Sequence, residues 1–342
     1  MGILDWFKLR AVRIDPEQAA NELVGWAVEK AVTLTNPRLR LLPDYHKRLL
    51  PAVESTVTFL RAQAQALPPV RPFSVADWAA DPSLRAFFVA PSDIPATLGR
   101  SQHLRTLFDK FPEIDEAYLV LGMAFNEQRV FGMALHGDMV QRDVAQTSVT
   151  FSDHRTRICG RDEARLRRAV GVEVFEYLVA QALSEIGAER IERQELEGNR
   201  SLIRARLRLL QQHGPGLGSM FGEAPAAPSE QARLEAELLD NERQLEAIGG
   251  GESVLEAELE CLKAVLENPQ RHLRIESRRL RLSPMNVLLN ENSTDSSAEV
   301  DFALAHLEGT PPMQRAFILA RVARSEMPSP QKINFDDATR YL

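Results

Sequence analysis

The sequence predicts an α+β protein, and three observations predict it. Apolar residues recur at helical spacing over residues 14–112, the pattern changes to alternation after Pro112, and a second long helical stretch, 161–269, separates two alternating blocks. The expected organisation is therefore a helical domain (14–112), a discontinuous antiparallel β-rich domain (113–160 and 270–328), and a long antiparallel coiled-coil hairpin arm (161–269). A short amphipathic segment (1–13) precedes these and a tail (329–342) follows.

Composition bounds the function. The chain has 342 residues, 44% hydrophobic and 26% charged, which suits buried cores rather than disorder. Its net charge of -7 argues against bulk nucleic-acid binding. Two cysteines, Cys159 and Cys261, without metal-type spacing give no disulfide framework and point to a reducing cytoplasm. At the start, Asp5 and Lys8 interrupt the apolar residues, so no signal peptide is read there. Ile3, Leu4 and Phe7 could form one face of a short helix suited to a membrane surface or a partner groove, the plainer reading being a helix packed on its own domain.

In the helical domain Asp15 and Pro16 open a first helix that carries Leu23, Ala27, Val28 and Ala31 on one face. A second helix spans much of 43–66, with Pro51 either kinking or starting it. "PPVRPF" is a connector, and short helices then gather Trp78, Leu84, Phe87, Phe88, Leu104, Phe108 and Phe111 into a core. After Pro112, "EAYLVLGMAFNEQRVFGMALHGDMV" suggests two strands joined at Asn126-Glu127-Gln128, and "AQTSVTFSDHRTRIC" a third. Strand character returns at "HLRIESRRLRLSPMNVLL", "AEVDFALAHLE" and "QRAFILARVA".

The arm is the most informative stretch. Leu196, Asn199, Ile203, Leu207 and Leu210 on its rising limb, and Leu234, Leu238, Asn241, Leu245 and Ile248 on its returning limb, have the three-and-four spacing of a coiled-coil seam. Pairing Leu196 with Leu245, Ile203 with Leu238 and Leu207 with Leu234 keeps the sum of residue numbers constant, as an antiparallel hairpin requires. The same register sets Asn199 opposite Asn241, where a bonded amide pair would fix it. It also continues past Gly249-Gly250-Gly251 to pair Ile186 with Leu255, Ala182 with Leu259, Val179 with Leu262 and Phe175 with Leu266. Asp162 and Ser229 are the expected helix caps.

This assigns "GLGSMFG" to the hairpin tip (214–228) rather than to a nucleotide loop. A P-loop needs a preceding strand and a Gly-Lys-Ser/Thr ending, both missing here. Leu217, Met220 and Phe221 are instead candidate docking residues for a protein partner, another copy or a lipid surface.

A second candidate is an arginine-rich neck at the base of the arm. Arg155, Arg157 and Arg161 enter it and Arg274, Arg278 and Arg281 leave it; guanidinium groups of this kind could hold an anionic ligand, unless acidic neighbours pair them. Arg274 to Arg278, "RIESR", resembles the Arg-x-x-x-Arg element of PilZ cyclic-dinucleotide receptors. The downstream element "DSSAEV", however, has Val300 where that family has glycine, and so short a match assigns no family.

No catalytic residue, metal site or cofactor is expected. Asp153 and His154, adjacent on a strand, should point to opposite faces, as should His154 and Cys159. The leading expectation is a non-enzymatic cytoplasmic adaptor or assembly component acting through the arm and its tip. The alternative is a regulator holding a nucleotide or cyclic dinucleotide at the neck; an enzyme whose groups converge only in three dimensions is left open.

Overall fold

The computed structural model describes residues 16–136, 139–212, 227–248, 252–290, 296–309 and 312–328. The chain is α+β, as expected, and divides into two compact units. One takes the described residues through Val57 together with Glu176–Pro269, and the other Thr58–Phe175 with the residues from Gln270 onward. Residues 14–112 are thus shared between the two units instead of forming one domain. Helices 75–110 lie on the sheet, whereas helices before Val57 bond to the last helix of the excursion, so sequence neighbours sit in different cores.

The sheet unit contains β1 (Arg71–Pro72), β2 (Glu116–His136), β3 (Met139–Gly160), β4 (Leu273–Leu282), β5 (Ala298–Leu307) and β6 (Met313–Ala323). Their order is β3-β2-β6-β5-β4, antiparallel throughout, with β1 added parallel to β6. Bridges from Ser148 to Val287 and from Leu282 to Leu288 tie edge strand β3 to edge strand β4. Both faces are apolar. Leu119, Leu121, Phe302, Leu304 and Ile318 pack with Leu84, Phe87, Phe88, Ile94 and Leu104 from the short helices on one face. Leu67, Leu166 and Val170 cover Ala303, Phe317 and Leu319 on the other. Two-sided burial accounts for the nearly continuous apolar runs in β5 and β6.

The expected turn at Asn126-Glu127-Gln128 does not form. These residues pair with Thr150, Val149 and Ser148, so β2 runs on unbroken for 21 residues and the first two expected strands are one. Polar residues in a solvent-facing part of a ladder break the apolar alternation without breaking the strand.

The helical unit contains α1 (Pro16–Thr35) and the start of α2 (Tyr45–Ala66), which holds Pro51 inside it. The short helices α3 (Val75–Ala80), α4 (Pro82–Phe87), α5 (Asp93–Gly99) and α6 (Gln102–Lys110) belong to the sheet unit. The excursion supplies α7 (Glu163–Gln212), α8 (Ala227–Ile248) and α9 (Glu252–Glu267). Asp162 caps α7 as expected, its Oδ1 accepting from the Arg165 backbone at 2.8 Å. Ser229 falls inside α8, whose start at Ala227–Pro228 uses proline in the first turn instead. Near the unit's core Lys30 pairs with Glu176, Arg48 donates to Glu256 at 2.6 Å and to Glu260 at 2.8 Å, and Thr56 donates to the Leu266 carbonyl. Among the described residues no helix is long and apolar enough to cross a membrane.

Candidate functional site

The candidate tip residues Leu217, Met220 and Phe221, like Gly249–Gly251 and the segment 1–13, lie outside the described residues. The helices that carry the tip are described, and they run antiparallel. Arg190 donates to Glu258 of α9 at 2.8 Å and Arg204 to Glu242 of α8 at 2.7 Å, so numbers fall from α9 to α8 as they rise along α7. Leu207 and Leu234, expected to oppose each other, are both buried.

The paired amides differ from expectation. Asn241 is buried at 7% exposure, but its Nδ2 donates to the Leu196 carbonyl at 3.1 Å, and Asn199 is exposed. The step of three residues from Leu196 to Asn199 turns about 60° around the helix, an ordinary seam step, and Asn199 stays at the open rim of the pair. Both amides line a groove of about 340 Å3 with Leu196, Ile203, Arg206 and Glu237. The buried Asn241 Oδ1 has no protein partner there.

Arg155 and Arg157 lie on β3, with Arg161 just beyond it, while Arg274, Arg278 and Arg281 lie on β4; these are the two edge strands that the bridges at Val287 and Leu288 tie together. Most face a partner. Arg155 Nε donates to Asp153 at 2.8 Å, and Arg161 lies 4.0 Å from Glu113 and over the Phe111 ring. Arg274 sits 2.7 Å from Glu276, Arg278 sits 3.9 Å from both Glu127 and Glu276, and Arg281 Nε donates to Ser297 at 2.8 Å.

One polar site was missed by alternation. Asp153 has φ 48, and the β2–β3 register shifts between Gly122 and Ala124, which marks a β-bulge. Because the bulge breaks the period of two, Asp153 and His154 line the same pocket of about 190 Å3, together with Asp93, Thr97 and Arg100. Arg155, and then Arg315 at 2.8 Å, hold the Asp153 carboxyl below its usual range. His154 stacks on Phe88 at 4.2 Å between centroids, and burial lowers its pKa. Its Nε2 is 2.9 Å from the Phe87 carbonyl and so carries the proton, leaving Nδ1 as an acceptor. Aspartate tolerates left-handed backbone better than most residues, and no other signal in the sequence marks the bulge.

Neither cysteine is poised as a nucleophile. Burial pushes both the Cys159 and the Cys261 thiols up to about 12, so they stay protonated at neutral pH. Among the described residues no cluster of His, Cys, Asp or Glu could hold a metal ion.

The fold and these sites define an α+β protein with an antiparallel sheet unit and a separate helical unit. Comparison with family models, with curated proteins and with solved structures finds no match.

Proposed function

We propose that this chain is a non-enzymatic cytoplasmic adaptor or assembly component. In this reading α7 and α8 act as a coiled coil, and the loop between them, with Leu217, Met220 and Phe221, engages a protein partner or another copy. The observation that carries it is the antiparallel register running from Arg190–Glu258 to Arg204–Glu242 with Leu207 and Leu234 buried beyond them. Such a register is what holds two long helices side by side in a coiled coil. Two free cysteines agree with a reducing compartment.

The alternative, a phosphate-bearing ligand at the arginines, needs guanidinium groups free to converge. Arg155, Arg274 and Arg278 face carboxylates, which favours the adaptor reading. Cross-linking in cells with mass-spectrometric readout tests it. The wild-type chain should give recurrent cross-links from residues 213–226 to one protein, and a variant carrying Leu217→Ser, Met220→Ser and Phe221→Ser should lose them. Retention of the same cross-links by the variant would refute the docking role of the tip.

A further inference from the structure

Beyond Met123, β2 leaves β6 behind. The β2–β6 ladder covers Glu116 to Met123, whereas the β2–β3 ladder continues to His136 and Met139. From Ala124 outward the two strands form a ribbon whose outer edges, among the described residues, have backbone partners only where β3 meets residues 286–288. A two-stranded ribbon is marginal by itself, and its free edges are templates for another strand. This ribbon is also apolar: Phe131 is 80% exposed and Met133 67%, with Val130 beside them.

We propose that the distal β2–β3 ribbon is a self-association surface, the occupant being the same ribbon of a second copy of this chain. The free backbone edge calls for an extended strand, because only a strand supplies N–H and C=O groups at matching spacing. Hydrocarbon would leave those groups unsatisfied, which disfavours a lipid occupant. The charge pattern selects the chain itself. Net charge -7 opposes self-association over most of the surface, but the described distal ribbon balances Glu127 and Asp143 against Arg129 and Arg142.

The edge of β2 is the one that pairs. On β3 the left-handed Asp143, φ 58, and the register shift facing it break the ladder, whereas β2 is regular from Ala124 to Gly132. That stretch centres on Gln128. Antiparallel pairing of β2 with itself about Gln128 sets Glu127, which faces Arg278 of its own chain at 3.9 Å, across from Arg129 of the partner subunit, and the reverse, so one two-fold axis places opposite charges across the new ladder twice. It also brings Phe131 near Phe125 of the partner subunit, covering a ring that the monomer leaves exposed. The inference stands apart from the helical pair and does not rest on the adaptor reading.

The experiment combines sedimentation equilibrium of the full chain with oxidative cross-linking of Gln128→Cys. The wild type, with its own Cys159 and Cys261, is the blank. A concentration-dependent dimer is expected; Gln128→Cys cross-links it, and Phe131→Asp weakens it about a hundredfold at unchanged far-ultraviolet circular dichroism. Should Phe131→Asp misfold, charge reversal decides: Glu127→Arg alone weakens the dimer, and adding Arg129→Glu in the same chain restores it. A monomer at every soluble concentration overturns the proposal. So does a dimer that survives both sets of ribbon changes, or one that falls instead to Leu202→Ser with Leu209→Ser on α7. Monomer binding to phosphatidylserine–phosphatidylcholine vesicles, lost on Phe131→Asp, would overturn it in favour of a lipid surface.

Discussion

The near and far parts of α7 have the same seam spacing but different burial. From Val179 through Ala182 to Ile186 the seam is buried to within 1% exposure, and Leu259 and Leu262 of α9 are equally closed. From Leu196 to Ile203 the seam is half-buried, and it closes again only at Leu207. The near part has further cover: α1 reaches it through the Lys30–Glu176 pair, and Asn36 donates at 2.6 Å to Glu258, the carboxylate that also receives Arg190. The far part has α8 alone among the described helices. A period of three and four residues therefore tells which face of a helix is inward, and the number of layers over that face decides how much burial it gains.

The widest gap between the two parts should appear on truncation. Ile186→Ala removes a side chain enclosed by other helices and should cost about 2–5 kcal/mol, whereas Ile203→Ala at the half-buried seam should cost about 1–2 kcal/mol. Urea unfolding followed by far-ultraviolet circular dichroism measures both, and equal costs would mean that the far seam is as enclosed as the near one. A smaller contrast comes from Glu258, buried at 4% exposure under Arg190 and Asn36. Glu258→Ala leaves an amide and a guanidinium without their acceptor and should cost about 1–3 kcal/mol. Arg204→Ala at the exposed Arg204–Glu242 pair should stay within about 0.5 kcal/mol. If the two variants melted together, the polar bonds would have no part in the difference.

Much of this difference was legible in the sequence, and the rest was not, for physical reasons. The antiparallel sense of the two limbs follows from spacing, because opposed positions of such a pair are tied arithmetically, and Leu207 and Leu234, which that arithmetic puts on the inner faces, are both buried. Spacing could not say that Asn199 stays exposed while Asn241 is buried, since the same three-residue step ends in the closed Ala182 nearer the base, and how far each helix is covered decides the difference. Nor could it assign α1 and the start of α2 to the excursion and α3 to α6 to the sheet, because both groups show the same helical period. In the sheet, alternation found strands on both sides of the excursion. It failed at Asn126-Glu127-Gln128, where polar residues imitate a turn, and at Asp153, where one left-handed residue brings two neighbours to one pocket.

The smallest effect expected concerns acid, and it sharpens what holds the near end together. Glu29 accepts from the Tyr45 hydroxyl at 2.7 Å, a bond that holds its carboxyl below the ordinary 4.5, and Arg48 does the same for Glu260. A carboxyl whose folded pKa lies below its unfolded value binds fewer protons when folded, so it stabilises the fold above the unfolded value and ceases to do so as pH falls through the folded one. The loss should begin near pH 4.5 and deepen below it, because the unfolded chain takes up its protons there first. Both groups are well solvated, so the change should be modest. Hydrogen exchange of α1 and α9 amides across this range reads it, and Tyr45→Phe combined with Arg48→Gln should flatten the pH dependence while leaving the neutral-pH fold in place. If the double variant kept the same acid response, the near end would owe its closure to apolar layering alone, and the polar bonds among α1, α2 and α9 would be passengers on it.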